Sequence, residues 1–348
     1  MADCVLVTQL EFEKAKSTFE AERRWSVWPA PADEARLAEA VRSRGCRAVI
    51  VGVERYKGPL YEALEEVAGA GGAIIARFGV GYDTIDGSLA RQHHVIVTNT
   101  PGVLTESVAE HALWLMGALA RHLVQLDAAM RRGSFAPLPG TELQGKTLTV
   151  MGFGQIGRRV AAMSHFGPGM VVVAEDERPL ADQAGQEGLT ERDFLAKYGA
   201  STYTTDPEEA LRAADVVSIH MAVTPKTQGF FNARRLAEMK PGALLVNTAR
   251  GALIDEDALY DALAGGHLGG AALDVYAEEP YQPPRPGKDL RALPNTLLTP
   301  HVASDTREAN ARMAQVALGN IERFFARRFS ELNWVAGYPV AEAAARPA

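Results

Sequence analysis

Four stretches of this chain carry residue types and spacings that chemistry could use. The first is Gly152-Phe153-Gly154-Gln155-Ile156-Gly157, directly after the apolar run Thr147 to Met151 and directly before Arg158-Arg159-Val160-Ala161-Ala162. A short buried strand that breaks at such a turn and reopens as a helix is a cradle for a pyrophosphate. Gly152 permits the tight turn, Gly154 leaves room for phosphates to approach the backbone, and Gly157 lets helix and strand pack closely. The free N–H groups and positive end of the new helix add attraction for anions. A second apolar run, Met170 to Ala174, ends in Glu175-Asp176-Glu177. Asp176 stands about twenty residues past Gly157, where a carboxylate accepts hydrogen bonds from an adenosine ribose diol.

The other three stretches are Asn247-Thr248-Ala249-Arg250-Gly251, Asp274-Val275-Tyr276-Ala277-Glu278-Glu279-Pro280 and Thr299-Pro300-His301-Val302-Ala303-Ser304. Hydride transfer between a dinucleotide and a hydroxy acid needs a proton donor and acceptor near neutral pH, a group that sets its pKa, and a cation for the carboxylate. A histidine, an acid before proline and an arginine beside glycine supply these. Each stretch follows a predicted strand, and the carboxyl ends of strands in an open α/β sheet are where ligands bind.

The elements that must position these groups alternate along the chain. Cys4 to Thr8, Ala48 to Val51, Ala73 to Ala76 and Val95 to Thr98 read as strands, separated by helical patterns over 33–44 and 60–67. Such short apolar strands imply a parallel sheet covered on both faces. After the turn Asn99-Thr100-Pro101-Gly102, one long helix is expected from Glu106 to Met130, with Val108, Ala112, Leu115, Leu119 and Leu123 at helical spacing. His111, Trp114 and His122 lie in or beside that stripe and read as core or interface packing. The second lobe continues with strands at Asp215 to Ile219, Leu244 to Asn247, Ala271 to Asp274 and Thr296 to Thr299, and a last helix spans 307–328. Residues 180–205 receive no role, Pro280 to Lys288 reads as a stiff loop, and the tail from Ala341 is expected to be disordered.

A chain of 348 residues is too long for one ordinary core, so two domains are expected. The net charge of −7, with no basic block, argues against nucleic acid as a partner and leaves any anionic substrate to individual arginines and lysines. No apolar run spans a bilayer and no signal pattern opens the chain. Cys4 and Cys46 are expected to form neither a disulfide nor a metal framework, which points to the cytoplasm.

At these residues the chain resembles the D-isomer-specific 2-hydroxyacid dehydrogenase family. The resemblance covers about residues 45 to 330 and includes Gly79-Val80-Gly81-Tyr82-Asp83, Asn99 to Gly102, Thr105 to His111, the Gly152 to Gly157 turn, Met239-Lys240-Pro241-Gly242-Ala243, Asn247 to Gly251 and Thr299 to His301. It implies an α/β protein of two doubly wound parallel-sheet lobes, with a Rossmann NAD-binding domain (102–300) inserted into a flavodoxin-like substrate domain (1–101 and 301–348).

The resemblance also places roles on residues. His301 would exchange the substrate proton, Glu279 would fix its tautomer and raise its pKa, and Arg250 would bind the carboxylate and polarise the carbonyl. Glu278 competes for the acid role, but the acid directly before proline is Glu279. Gln155 and Ile156 would give N–H groups to the pyrophosphate. Thr248, Ala249, Asp274 and Ala303 would line the cofactor, Asp274 holding the carboxamide. Val80 and Gly81 would offer N–H groups to the substrate carboxylate, and Arg55 or Lys57 would recognise a second anionic group if there is one. Because Phe166-Gly167-Pro168-Gly169 is one residue longer than usual, Glu175 stands as an alternative to Asp176 at the ribose. Either acid repels a 2′-phosphate, so NAD is favoured over NADP. The expected protein is a metal-free, cytoplasmic homodimer that interconverts a 2-keto acid and its D-2-hydroxy acid. A short-form phosphoglycerate dehydrogenase and a dinucleotide-sensing, corepressor-like binding protein are the alternatives.

Overall fold

The computed structural model describes residues 4–345. They divide into two compact units: one runs to Leu104 and resumes at Asp305, and the other is Thr105–Ser304.

In the first unit the strands are β1 (Cys4–Thr8), β2 (Ser26–Ala30), β3 (Ala48–Val51), β4 (Ala73–Arg77) and β5 (Val95–Thr98). They lie parallel in the order β2-β1-β3-β4-β5, the flavodoxin-like order. Every residue of β3, β4 and β5 is buried, which is why these runs are apolar without alternation up to the terminal Arg77 and Thr98. β2 escapes a sequence reading because it contains Pro29, which an edge strand tolerates since one side of its backbone needs no partner. The two cysteines correct an expectation. The β1–β3 register pairs Val5 with Ala48, which brings Cys4 and Cys46 to a Cα separation of 5.2 Å, and they are joined in a disulfide. Cysteine usage therefore no longer argues for a reducing compartment.

The second unit contains β6 (Thr147–Met151), β7 (Val171–Glu175), β8 (Ala200–Thr204), β9 (Val216–Ile219), β10 (Leu244–Asn247), β11 (Gly270–Leu273) and β12 (Thr296–Leu298). All run parallel in the order β8-β7-β6-β9-β10-β11-β12, and the order reverses between β6 and β9. Alternation along β6 sends Leu148 and Val150 into the core on one face and Met151 into the core on the other. Both faces are thus closed, and the carboxyl ends of the strands remain to carry loops.

Three further expectations are revised. The long helix is two, Thr105–Ala120 and Leu123–Arg131, because His122 takes a left-handed conformation (φ 54°) and Thr141 N–H occupies the Ala120 carbonyl at 2.8 Å. Residues 180–205 form the helices Leu180–Gln186 and Glu191–Tyr198 and the edge strand β8. The tail is not irregular from Ala341: after the antiparallel edge strand β13 (Trp334–Gly337), which pairs with β5, a helix spans Val340–Ala345, and 346–348 lie outside the described residues. No helix among the described residues is long and apolar enough to cross a membrane.

Candidate active site

The loops after β10, β11 and β12 converge. After β10, Asn247 folds its own loop: its side-chain amide donates to the Arg250 carbonyl at 2.8 Å and its side-chain oxygen accepts from Ala249 N–H at 3.0 Å. A methyl at Gly251 would sit 1.8 Å from the Tyr276 carbonyl carbon, so only glycine lets this loop pack on the one after β11. Arg250 turns one guanidinium N–H back onto its own loop, donating to the Ala249 carbonyl at 2.7 Å.

His301 lies two residues past β12's neighbour Thr299, at φ 55°, with its N–H donating to the Asp274 carbonyl at 2.8 Å. Its Nδ1 meets Glu279 Oε2 at 2.7 Å, while Glu279 Oε1 accepts from Tyr276 N–H at 3.0 Å. Both side chains of the pair are part-exposed, 26% for His301 and 30% for Glu279, so a ligand can reach the ring. Glu279, rather than the exposed Glu278, is the acid on the histidine. Glu256, which sequence reasoning passed over, is buried behind this loop and accepts from Ala277 N–H at 2.7 Å. Burial raises its carboxyl above the ordinary range, and the nearby Glu279 charge adds to that.

Asp274 is fully buried and ties the histidine loop down. Its oxygens accept from Thr299 Oγ1 at 2.6 Å, Val302 N–H at 2.9 Å and Ala303 N–H at 2.8 Å. His111 Nε2, expected to be plain packing, lies 3.3 Å from Thr299 Oγ1 and 3.6 Å from Asp274 Oδ1. Burial alone would raise the Asp274 carboxyl; hydrogen bonds from His111, Thr299 and the two backbone N–H groups hold it below the ordinary range. Asp274 is thus an anion at neutral pH with most of its acceptor capacity used within the chain.

The glycine turn has the shape a dinucleotide needs. A methyl at Gly157 would lie 2.1 Å from the Gly152 carbonyl oxygen, and one at Gly152 (φ 94°) would crowd the His220–Met221 peptide at 2.7 Å. At Gly154 it would meet nothing within 4 Å. Two glycines therefore allow the turn to close, and the third faces open space. The helix begins at Gln155 and Ile156, and its first internal bond runs from Arg158 N–H to the Gly154 carbonyl at 2.9 Å. Thr248 Oγ1 is buried without a partner among the described residues, a polar atom suited to a ligand. Asp176 Oδ2 accepts from Phe153 N–H at 2.8 Å inside the turn, whereas Glu175 is the last residue of β7, buried and apart from that contact. These residues fit a bound dinucleotide, and no group of three metal-ligating side chains occurs among the described residues.

The model of the D-isomer specific 2-hydroxyacid dehydrogenase NAD-binding domain matches residues 113–303, more than half of the chain. The chain belongs to that family. The dehydrogenase is 38% identical over 261 residues to the glyoxylate reductase of Thermococcus litoralis, covering 72% of this chain and 73% of that one. It is 39% identical over 245 residues to D-3-phosphoglycerate dehydrogenase 2, chloroplastic, of Arabidopsis thaliana; the match takes in 69% of this chain but only 36% of that protein. Among solved structures it superposes on the NADPH-dependent glyoxylate/hydroxypyruvate reductase of Sinorhizobium meliloti, in complex with NADP and malonate, with a TM-score of 0.76 and 29% identity, covering 100% of this chain and 99% of that one. The protein is therefore an NAD(P)-dependent oxidoreductase of the 2-hydroxyacid dehydrogenase family.

Within the first unit of the dehydrogenase, the loop after β4 is fixed through its carbonyls. Thr100 N–H donates to Gly79 at 3.0 Å, the Asn99 amide to Val80 at 2.8 Å, and Arg77 Nε to Gly81 at 2.9 Å. These three carbonyl contacts fix the backbone conformation of the loop around Val80 and Gly81. Arg77 is buried beneath it as a brace, while Arg55 and Lys57 are exposed.

Proposed function

We propose that this dehydrogenase reduces a small 2-keto acid, of the glyoxylate and hydroxypyruvate class, to its D-2-hydroxy acid with NADH, and runs in reverse with NAD. The observation that carries this is the 2.7 Å Glu279–His301 pair, set beside the loop that holds Arg250. When bound, the nicotinamide supplies the hydride. His301, held at Nδ1 by Glu279, gives a proton from Nε2 to the carbonyl oxygen and takes it back from the hydroxyl in the other direction. Arg250 receives the carboxylate with its forked donors and draws charge from the carbonyl, and the Val80 and Gly81 N–H groups remain candidates for substrate binding in the first unit. Gly154, Gln155 and Ile156 would receive the pyrophosphate, Thr248 and Ala249 would line the nicotinamide, and the acceptor capacity Asp274 has left would hold its carboxamide. Ala303 contributes by pinning Asp274 rather than by a free N–H.

A homodimer is part of this proposal. The helix Leu123–Arg131 buries none of its residues, and Trp114 (68% exposed) and Phe135 (89% exposed) stand on the same stretch of chain. So much aromatic and aliphatic surface suits a second copy.

The test is NADH consumption by the purified protein with glyoxylate, hydroxypyruvate, pyruvate and phosphohydroxypyruvate in turn. Turnover is expected with the first two, and His301→Ala is expected to lose about 10³-fold in kcat with NADH affinity kept. Wild-type activity in His301→Ala, or dinucleotide binding with no turnover of any keto acid, would overturn the proposal; the latter is the behaviour of a dinucleotide sensor.

A further inference from the structure

The three consecutive acids Glu175-Asp176-Glu177 suggest a strongly negative site that excludes a 2′-phosphate. In the folded protein that charge is largely cancelled. Asp176 accepts four hydrogen bonds from its own chain: Phe153 N–H at 2.8 Å and Arg178 Nη2 at 3.1 Å on Oδ2, and Arg178 N–H at 3.1 Å and Arg178 Nε at 2.9 Å on Oδ1. A carboxylate has about four acceptor positions, so Asp176 has none in reserve for a ribose diol while Arg178 stays on it. Glu177 is exposed and solvated. Glu175 is buried, one of its oxygens without a hydrogen-bond partner, and burial followed by the Asp176 charge pushes its carboxyl up to about 7, so that it is a diminished anion at neutral pH.

Arg178 itself is built to move at one end only. Its carbonyl accepts from the Tyr203 hydroxyl, which in turn is met by the buried Gln183 amide, so the backbone is anchored. Its side chain is 43% exposed and reaches Gln183 Oε1 only at 3.4 Å. A planar five-donor fork at the rim of the ribose position suits a phosphate as well as it suits a carboxylate.

We propose that Arg178 sets which dinucleotide this dehydrogenase takes: on Asp176 it competes with the ribose diol, and swung off it receives a 2′-phosphate, so that NADPH is bound alongside NADH. The proposal rests on the dinucleotide-dependent reduction proposed above and extends it to a second cofactor. Asp176 then serves both cofactors, as ligand to the diol of one and as the resting partner of the cation that binds the other.

Fluorescence titration of the full-length protein with NADH and with NADPH, at low and raised salt, tests this without recourse to turnover. Wild-type affinities are expected to agree within about tenfold, the NADPH value being the more salt-sensitive. Arg178→Gln should weaken NADPH by about 10- to 100-fold, the range of a lost charge-assisted fork, and leave NADH unchanged or tighter because Asp176 is released. Arg178→Lys, which keeps the charge but not the fork, should fall between the two, and an unchanged melting temperature in either variant separates the effect from misfolding. Wild-type preference for NADH beyond about 100-fold, or an Arg178→Gln effect equal for both dinucleotides, overturns the proposal and leaves the dehydrogenase assignment standing. Binding of neither dinucleotide overturns both.

Discussion

Replacing Glu175 by glutamine tests how the β7 terminus carries its charge. The residue is 5% exposed, at the end of a strand that pairs with β6 and β8, with Asp176 and Glu177 as like charges nearby and a hydrogen bond from Gly152 N–H and the Arg235 charge opposing them. Burial is the main cause that moves its carboxyl from 4.5 to about 7, followed by Asp176. The sign follows from proton linkage. Between those two values the folded protein holds a proton that the unfolded chain has released, so stability is fully present below 4.5 and is lost as pH rises to about 7, after which the loss is constant. At about 1.4 kcal/mol per pH step, the loss amounts to about 3 kcal/mol. Glutamine has the same shape and no proton to lose, so Glu175→Gln should match the wild type near pH 4.5 and exceed it near pH 8 by about 3 kcal/mol, or about 6–12 °C in melting temperature for a unit of this size. Thermal melts of both proteins across that range, with a urea titration at each end, read it directly. Parallel stability curves would refute the reasoning, since they would mean that the buried carboxylate finds enough compensation from Arg235 and water to ionise at no cost.

Two other perturbations probe the loops after β11 and β12. Glu279→Gln keeps the contact to His301 in shape but removes its charge; kcat should fall about 10²-fold with NADH affinity unchanged, and a wild-type rate would remove Glu279 from the proton pathway. Asp274→Ala leaves the Thr299 hydroxyl and the Val302 and Ala303 N–H groups unmet in a buried site, so urea denaturation should report a loss of about 3 kcal/mol or more, with Asp274→Asn milder; a neutral Asp274→Ala would mean that the histidine loop holds itself.

Much of the site is legible in the one-dimensional pattern because it follows local rules. Gly152, Gly154 and Gly157 mark a strand–turn–helix passage whose steric demands are met by neighbours a few residues away. Arg250, Glu279 and His301 each follow a short apolar run, and the end of a parallel strand is where a side chain leaves the sheet. His111 shows what such a pattern misses. It sits on an apolar helical stripe and reads as packing, yet the fold sets it against Thr299 and Asp274, far away in sequence. Strands β2, β8 and β13 were likewise missed, since edge strands are half-polar, short or interrupted by proline, and their apolar pattern is weak.

The amino-acid order by itself determined that two parallel α/β sheets would form, where the glycine-rich strand–turn–helix passage lies, and which arginine, glutamate and histidine follow the strand ends. Only the tertiary structure decided the state of the charges. Cys4 and Cys46 are bonded because β1 and β3 are neighbours, Asp176 is saturated because Arg178 folds back on it, and Glu175 is buried by the packing around the end of β7. Whether a carboxylate is solvated, paired or buried depends on what surrounds it in three dimensions, and its run of acids in the sequence carries no record of that.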